Sequence, residues 1–282
     1  YGIYLKSSSD NTVTGNTCNN NDYGIYLNSS LAITLTGNTC NNSNYGIRLT
    51  SSSNNTVTGN TCNNSNYGIR LYSSNSDNTV TGNTCNNNDY GIRLTSSSNN
   101  TVTDNTCNNN SYGIYLDSSS NNTVTGNTCN NNDYGIRLSS SINNTVTGNT
   151  CNNNYYYGIY LKSSSDNTVT GNTCFRGIGT PEDYTTDQHT ILLSGTGNDY
   201  NLISSNNCMG KAPVVEGGTG NTVINNKWNA TSDFEDLRTD IGDKTTLITT
   251  DKTNLVNAIN ENRQQINTLD ANKVDNSRVL TD

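Results

Sequence analysis

Apolar and polar residues alternate in short runs along residues 1–174, and stretches of Ser, Asn and Asp separate the runs. In the first unit, Ile3 and Leu5 fall on one side of an extended run and Tyr4 on the other, because successive strand residues point to opposite faces. Two further short runs place Val13 and Cys18 on the inward side. The polar stretches form turns, since their side chains bond to the nearby backbone. The pattern predicts three short strands per unit, joined by tight corners.

This unit returns every 22 or 23 residues. The Tyr-Gly pair begins at positions 1, 23, 45, 67, 90, 112, 134 and 157, and cysteine stands at 18, 40, 62, 85, 107, 129, 151 and 174. A fixed period of this length indicates a solenoid, in which each unit covers the open face of its neighbour. We therefore predict an all-β fold, a right-handed single-stranded parallel β-helix with 22-residue coils.

Stacking of these coils at about 4.8 Å puts identical side chains above one another. The predicted core consists of Ile3, Leu5, Val13 and Cys18 with their equivalents, a narrow column of modest apolar side chains. Asn16 recurs in every unit and predicts a ladder of hydrogen-bonded amides along one corner.

The irregular positions of the repeat are expected at corners. The longer units gain their extra residue near Asn75 and Asn154, in turn-forming stretches where an insertion leaves the strand register intact. Gly15 has glycine equivalents in all units except one, where Asp104 replaces it. Glycine with an aspartate substitute predicts a corner residue with positive φ.

The chain divides into three predicted segments. Residues 1–174 form eight regular coils, and residues 175–230 form degenerate terminal coils, in which Trp228 takes the cysteine position and closes the column. Residues 231–282 form a short α-helical or coiled-coil segment for oligomerisation or linkage. Its first helix opens on the capping-box pattern Ser232 to Glu235.

A second predicted helix carries a short heptad stripe in this last segment. Its apolar residues are Leu255, Ile259, Ile266 and Leu269. Such a stripe is too short to be stable alone and is polar on its other faces, which favours an association helix, most simply in a homotrimer. The alternative is a helix that packs back on its own β-helix.

Composition and charge narrow the function classes. The net charge of −8 disfavours a nucleic-acid partner, and no apolar run is long enough for membrane insertion. Eight of the nine cysteines share one repeat position. Neighbouring coils hold them farther apart than disulfide geometry prefers, so buried thiols are expected over disulfides. Clustered metal-ligand spacings are absent, and His189 is the sole histidine. We predict no metal and no cofactor.

One outward row of side chains is the candidate ligand-binding site. It consists of Tyr4, Tyr26, Arg48, Arg70, Arg93, Tyr115, Arg137 and Tyr160. Adjacent arginines about 4.8 Å apart repel one another, whereas aromatic rings and guanidinium groups suit a glycan or an acidic polymer. The alternative is that these residues are ordinary exposed strand residues whose rings and guanidinium groups stack on each other.

Catalytic residues are not assigned. A depolymerase needs paired carboxylates or an acid–base pair in a groove. Asp117 is expected to stand alone on its face, and the other repeat carboxylates occupy corners. The one local group with catalytic residue types is Glu182, Asp183, Asp187 and His189, in an irregular excursion from the coil.

The Tyr-Gly-Ile-x-Leu and Asn-Thr-Val-Thr-Gly-Asn-Thr pattern resembles the NosD-type right-handed β-helix repeats of surface proteins, carbohydrate-active proteins and viral fibres. Copper binding, which is associated with some NosD proteins, has no support here beyond the buried cysteines. Residues 250–261 and 272–282 resemble linker segments of phage tail-fibre and baseplate-associated proteins. The long Asn-rich array also resembles surface proteins of methanogenic archaea.

These resemblances imply a structural tail-fibre or spike component of a virus or virus-like particle, located on the virion. Its expected partners are other virion proteins and a host surface polysaccharide. One alternative is a β-helix protein or adhesin of the cell surface. Another is a polysaccharide lyase or hydrolase.

Overall fold

The computed structural model describes residues 1–73, 75–175, 190–209 and 213–227. They form an all-β, right-handed parallel solenoid of about nine turns. Within these ranges no helix is both long and apolar enough to cross a membrane. The predicted C-terminal helices and their heptad, Trp228, and the group from Glu182 to His189 lie outside the described residues.

The first sheet has ten parallel strands, one above the other. Its strands are β1 (Ile3–Lys6), β3 (Tyr23–Asn28), β5 (Tyr45–Thr50), β7 (Tyr67–Tyr72), β9 (Tyr90–Thr95), β11 (Tyr112–Asp117), β13 (Tyr134–Ser139), β15 (Tyr157–Lys162), β18 (Ile191–Ser194) and β21 (Val214–Glu216). Like residues pair along it, as in Ile25 with Ile47 and Leu27 with Leu49. The sheet confirms the predicted stacking in register.

A second sheet of ten parallel strands forms another side of each coil. Its strands are β2 (Thr12–Thr14), β4 (Thr34–Thr36), β6 (Thr56–Thr58), β8 (Thr79–Thr81), β10 (Thr101–Thr103), β12 (Thr123–Thr125), β14 (Thr145–Thr147), β16 (Thr168–Thr170), β19 (Leu202–Ser204) and β22 (Thr222–Ile224). The third side is narrower. Most of its coils meet through single bridges such as Thr17 with Thr39, and strands form at β17 (Thr173–Phe175) and β20 (Asn207–Met209).

The core is the predicted column of Ile, Leu, Val and Cys. In the interior coils these side chains are fully enclosed, for example Ile69, Leu71, Val80 and Cys85. Ile3 in the first coil is only half-buried, whereas its equivalents Ile25 and Ile47, which lie between two coils, are fully buried. Each coil therefore depends on its neighbours for burial, as the repeat predicts.

Asparagine side chains connect the coils inside the corners. Asn105 represents the predicted ladder: its backbone N–H and its Nδ2 both donate to Oδ1 of Asn127, at 3.0 and 2.9 Å. Its own Oδ1 accepts the same two bonds from Asn83. A second ladder, unexpected from the sequence, runs through Asn78, Asn100 and their equivalents at another corner. The corners are thus internally hydrogen-bonded along the solenoid.

The irregular positions fall where the repeat predicts them. The backbone N–H of Ser51 bonds to Ser73, 22 residues on, whereas that of Ser52 bonds to Asn75, 23 residues on, so the extra residue of this coil lies between Ser73 and Asn75. Asp104 has φ of 53°, close to the 62° of Gly82 one coil earlier. Both observations confirm the expectation for the corners.

Candidate ligand-binding face

A glycine gives the first sheet an unusual outer surface. In β3, Gly24 and Ile25 are both buried, so Tyr23 and Tyr26 on either side of them both lie on the outside. A Cβ on Gly24 would lie 2.5 Å from the carbonyl oxygen of Gly46, which is closer than atoms can approach. Glycine is therefore required by the close approach of neighbouring coils. The sheet presents three outward columns as a result.

The three columns together are named the Tyr–Arg face. The tyrosine column consists of Tyr1, Tyr23, Tyr45, Tyr67, Tyr90, Tyr112, Tyr134 and Tyr157. The mixed column is the predicted row of Tyr4, Tyr26, Arg48, Arg70, Arg93, Tyr115, Arg137 and Tyr160. The outer column consists of Lys6, Asn28, Thr50, Tyr72, Thr95, Asp117, Ser139, Lys162, Ser194 and Glu216.

Rings of the tyrosine column stack along the solenoid axis. Tyr45 and Tyr67 have centroids 4.9 Å apart and ring planes within 8°, and Tyr67 and Tyr90 repeat this geometry at 4.9 Å and 6°. Each interior ring is thus covered on both faces by its neighbours. Burial raises the pKa of Tyr90 and Tyr134, so their phenols remain protonated at neutral pH. What the column offers to a ligand is ring edges and hydroxyl groups.

Each arginine of the mixed column packs against this stack. The guanidinium carbon lies 4.9 Å from the Tyr45 centroid in Arg48 and 4.6 Å from the Tyr67 centroid in Arg70. Nη1 of Arg48 also donates to the Tyr23 hydroxyl at 3.1 Å. Equivalent bonds join Arg70 to Tyr45 at 3.2 Å, Arg93 to Tyr67 at 3.4 Å and Arg137 to Tyr112 at 3.2 Å. Cation–π contacts and phenol hydrogen bonds offset the repulsion between successive arginines.

One ion pair among the described residues joins the mixed column to the outer column. Nη2 of Arg93 lies 2.9 Å from Oδ2 of Asp117, with side chains 16% and 27% exposed. No second carboxylate pairs with Asp117 in the sheet, where its neighbours are Thr95 and Ser139, as the sequence predicts. Its arginine partner was not foreseen from the sequence, because the guanidinium of the preceding coil reaches diagonally across the sheet. Nη2 of Arg48, Arg70 and Arg137 has no hydrogen-bond partner among the described residues.

All eight residues of the predicted row lie on this face, and most are half-buried. Tyr115 differs: it is only 9% exposed, enclosed by the rings of Tyr90 and Tyr112 and the guanidinium groups of Arg93 and Arg137. The rings and guanidinium groups of this row thus do stack on each other, as the alternative interpretation of the sequence expects. Nη2 of Arg48, Arg70 and Arg137 nevertheless remains without a partner among the described residues. Sequence reasoning missed the tyrosine column, although a glycine inside a strand is the signal that could have revealed it.

The buried cysteines form a separate column inside the solenoid. All nine are buried and free of disulfides. Burial raises the pKa of Cys208 to about 11 and that of Cys85 and Cys129 well above 9.0. These thiols therefore behave as small apolar core residues.

Two family models match the chain. The model described as "Right handed beta helix region" matches residues 1–129, and the model described as "Periplasmic copper-binding protein (NosD)" matches residues 94–261. No curated protein matches the chain in sequence.

Solved structures share the fold at low sequence identity. A periplasmic alginate epimerase double mutant has a TM-score of 0.55 and 17% identity, over 81% of this chain and 71% of its own. DFA-IIIase from Arthrobacter chlorophenolicus A6, without its lid, gives 0.57 and 16%, over 74% and 60%. The enzymatically active domain of tailspike protein 2 of bacteriophage CBA120 gives 0.52 and 14%, over 80% and 42%. The chain thus spans less than two thirds of the latter two.

Copper, which the second family description names, does not fit the described residues. Proteins hold copper through thiolate, thioether or imidazole ligands. The cysteines are enclosed among Ile and Leu side chains and burial disfavours their thiolate form. No group of three or more His, Cys, Asp or Glu converges in the ranges that the structure describes, and His189 lies outside them. The β-helix repeat and the match over more than half of its length place the chain in the NosD family.

Proposed function

We propose that this chain is a rigid, extracellular shaft that binds an acidic surface polysaccharide along the Tyr–Arg face. The observation on which the proposal depends is that the guanidinium groups of Arg48, Arg70 and Arg137 are fixed in place on this face. Each is held by a phenol hydrogen bond and by ring contacts, and each keeps Nη2 without a partner among the described residues. A preformed fork loses little conformational entropy when it binds an anion.

Charge distribution supports an anionic ligand. The mixed and outer columns carry six cations, and the carboxylates in these columns are Asp117 and Glu216. The whole chain has a net charge of −8, so this face is a positive strip on an acidic molecule. Such a strip attracts polyanions from solution and orients them along the axis.

The ring geometry defines how a sugar would bind. Because neighbouring rings cover both faces of each interior tyrosine, sugars cannot stack on them as they do on an isolated aromatic ring. The ligand would instead receive hydrogen bonds from guanidinium and phenol groups that repeat about every 4.8 Å. This repeat suits a linear polymer with regularly spaced acidic groups.

The molecular setting we propose is a virion appendage, such as a tail fibre or spike. Support comes from the tail-fibre-like segments at residues 250–261 and 272–282 and from a structural neighbour that is a phage tailspike domain. In this proposal the chain is a homotrimer, associated through residues 231–282, and contacts other virion proteins. Light scattering of the full chain tests this: a monomer at micromolar concentration would contradict it.

Two alternatives are separated by experiment. A cell-surface β-helix protein would share the binding face, and immunogold labelling of cells and purified particles would locate it. A lyase or hydrolase is favoured by the epimerase and DFA-IIIase neighbours, which share the fold alone at 16–17% identity. Release of reducing ends or unsaturated products from a bound polysaccharide would establish that alternative.

Binding itself is tested with sodium alginate, a linear polyuronate, and with uncharged dextran. We expect the protein to bind labelled alginate, to ignore dextran and to lose affinity as salt rises. Arg48→Gln with Arg70→Gln should weaken alginate binding by at least about tenfold. Lys227→Gln, which removes an exposed cation on the third side of the coil, is the control. No alginate binding, or an equal loss in the control, would refute the proposal.

A further inference from the structure

The Arg93–Asp117 pair shows which position of the next coil an arginine of the mixed column can reach. The inference drawn from this pair rests on the proposed function. Asp117 lies in the outer column one coil beyond Arg93, because Thr95 pairs with Asp117 in the parallel register. Nη2 of Arg93 reaches diagonally across that step to the carboxylate at 2.9 Å. Every arginine of the mixed column faces an equivalent diagonal position.

The other three diagonal positions carry no carboxylate. Arg70 faces Thr95, because Tyr72 pairs with Thr95 in the next coil. Arg137 faces Lys162, because Ser139 pairs with Lys162. The third, Arg48, faces Tyr72, whose ring centroid lies 5.3 Å from the Arg48 guanidinium carbon.

The cations without a carboxylate partner form two groups, Arg48 with Arg70 and Arg137 with Lys162. The side chains of Arg48 and Arg70 are held by more contacts. The guanidinium carbons of both lie over the ring of Tyr72, at 5.3 and 4.7 Å. Nε of Arg48 also donates to Thr50 at 3.2 Å, which fixes the orientation of its fork. Two adjacent guanidinium groups are thus held in place and lack an ionic partner among the described residues.

We propose that Asp117 is an internal substitute for a carboxylate of the ligand, and that Arg48 and Arg70 form the principal carboxylate-binding subsite. The contact between Arg93 and Asp117 then shows how a uronate would meet Arg70. Arg137 and Lys162 form a second subsite, three coils or about 14 Å from Arg70. Asp117 separates the two by neutralising Arg93 and by repelling a polyanion that lies along the face.

The ligand class that follows is a linear polyuronate long enough to reach both subsites. Two linked contacts raise the overall affinity well above that of either alone when the polymer spans them. A short uronate oligomer would occupy one subsite and bind more weakly. Neutral polymers would gain nothing from either.

Moving the internal carboxylate by one coil is the sharpest test. Thr95→Asp places a carboxylate diagonally opposite Arg70, as Asp117 stands opposite Arg93, and Thr95→Asn is its uncharged match. We expect Thr95→Asp to weaken alginate binding by at least about tenfold and Thr95→Asn by no more than about twofold. Asp117→Asn, which frees Arg93, should strengthen binding by about threefold or more.

The outcomes separate this inference from the proposed function. If the unaltered protein fails to bind alginate, the proposed function itself is refuted. If it binds, and Arg48→Gln with Arg70→Gln weakens binding while Thr95→Asp matches Thr95→Asn, only the inference about Asp117 is overturned. An unchanged affinity in Asp117→Asn would overturn it equally. Circular dichroism and the thermal midpoint of each variant verify that the solenoid is intact.

Discussion

Removing one amide from the interior of the predicted ladder should destabilise the solenoid strongly. Asn105 is 1% exposed, and its side chain connects three coils. Nδ2 donates to Oδ1 of Asn127 and to the carbonyl oxygens of Val80 and Thr103, each at 2.9 Å. Oδ1 accepts from the backbone N–H and Nδ2 of Asn83. Asn105→Ala removes all five hydrogen bonds at once.

The magnitude follows from the groups that lose their partners. The backbone N–H of Asn83 has no other acceptor at this buried corner, whereas Nδ2 of Asn83 keeps its bonds to Val57 and Thr81. A buried donor without a partner costs about 1–3 kcal/mol, and the carbonyl of Val80 loses a bond as well. The lost volume adds a cavity contribution. We expect a loss of about 3–5 kcal/mol in the free energy of unfolding.

The assay is equilibrium unfolding in guanidinium chloride, compared with Asn99→Gly as control. Asn99 is an exposed corner residue with φ of 58°, which glycine adopts freely, so its replacement should change stability by less than about 0.5 kcal/mol. Hydrogen exchange at the Asn83 amide should accelerate in Asn105→Ala. A loss below about 1 kcal/mol would refute the view that the amide ladder, rather than the apolar column alone, holds the coils together.

Three further predictions concern glycines and thiols. Gly91→Ala should cost more than about 2 kcal/mol, because its Cβ would lie 2.5 Å from the carbonyl oxygen of Gly113. Gly82→Ala meets no atom closer than 4.0 Å and should cost about 1–2 kcal/mol from its φ of 62° alone, so equal losses would contradict the steric argument. Thermal midpoints measure both. Burial raises the pKa of Cys208 to about 11 from the ordinary 9.0, so the folded state holds the thiol proton more tightly. The contribution of Cys208 to stability should be constant below about pH 9 and fall toward pH 11, and a denaturation midpoint that rises relative to Cys208→Ala over that range would contradict this.

Much of the fold could be predicted because each position of the repeat can be compared with the equivalent positions of the other units. Gly15 and Asp104 at equivalent positions identified a positive-φ corner, and Asn16 in every unit identified one amide ladder. The second ladder, through Asn78 and Asn100, escaped prediction. Asparagine is abundant at the corners, and its presence alone does not separate an inward-facing amide from an exposed turn residue. The one available signal is Ile33, an apolar residue at the equivalent position of the second unit, which is buried in the structure.

The candidate site was predicted in part for a related reason. The assumption that successive strand residues alternate between inside and outside identified the mixed column. It fails where two consecutive residues, Gly24 and Ile25, both lie inside. The tyrosine column and the hydrogen bonds that position each arginine depend on that irregularity. Likewise, the contact between Arg93 and Asp117 joins neighbouring coils diagonally, and pairing in register alone does not reveal it.

The two surfaces of each coil are complementary, and the same two surfaces meet at every junction of the ladder, which bears on how such an array can change in length. At each junction the asparagine of one coil donates through Nδ2 to Oδ1 of the next, from Asn83 to Asn105, from Asn105 to Asn127 and from Asn127 to Asn149. One junction is therefore chemically the same as another. Whole units can therefore be duplicated or deleted by recombination within the gene while the junctions remain satisfied. The reach of the rod, and the number of positive charges along it, can evolve in steps of one coil without a new fold.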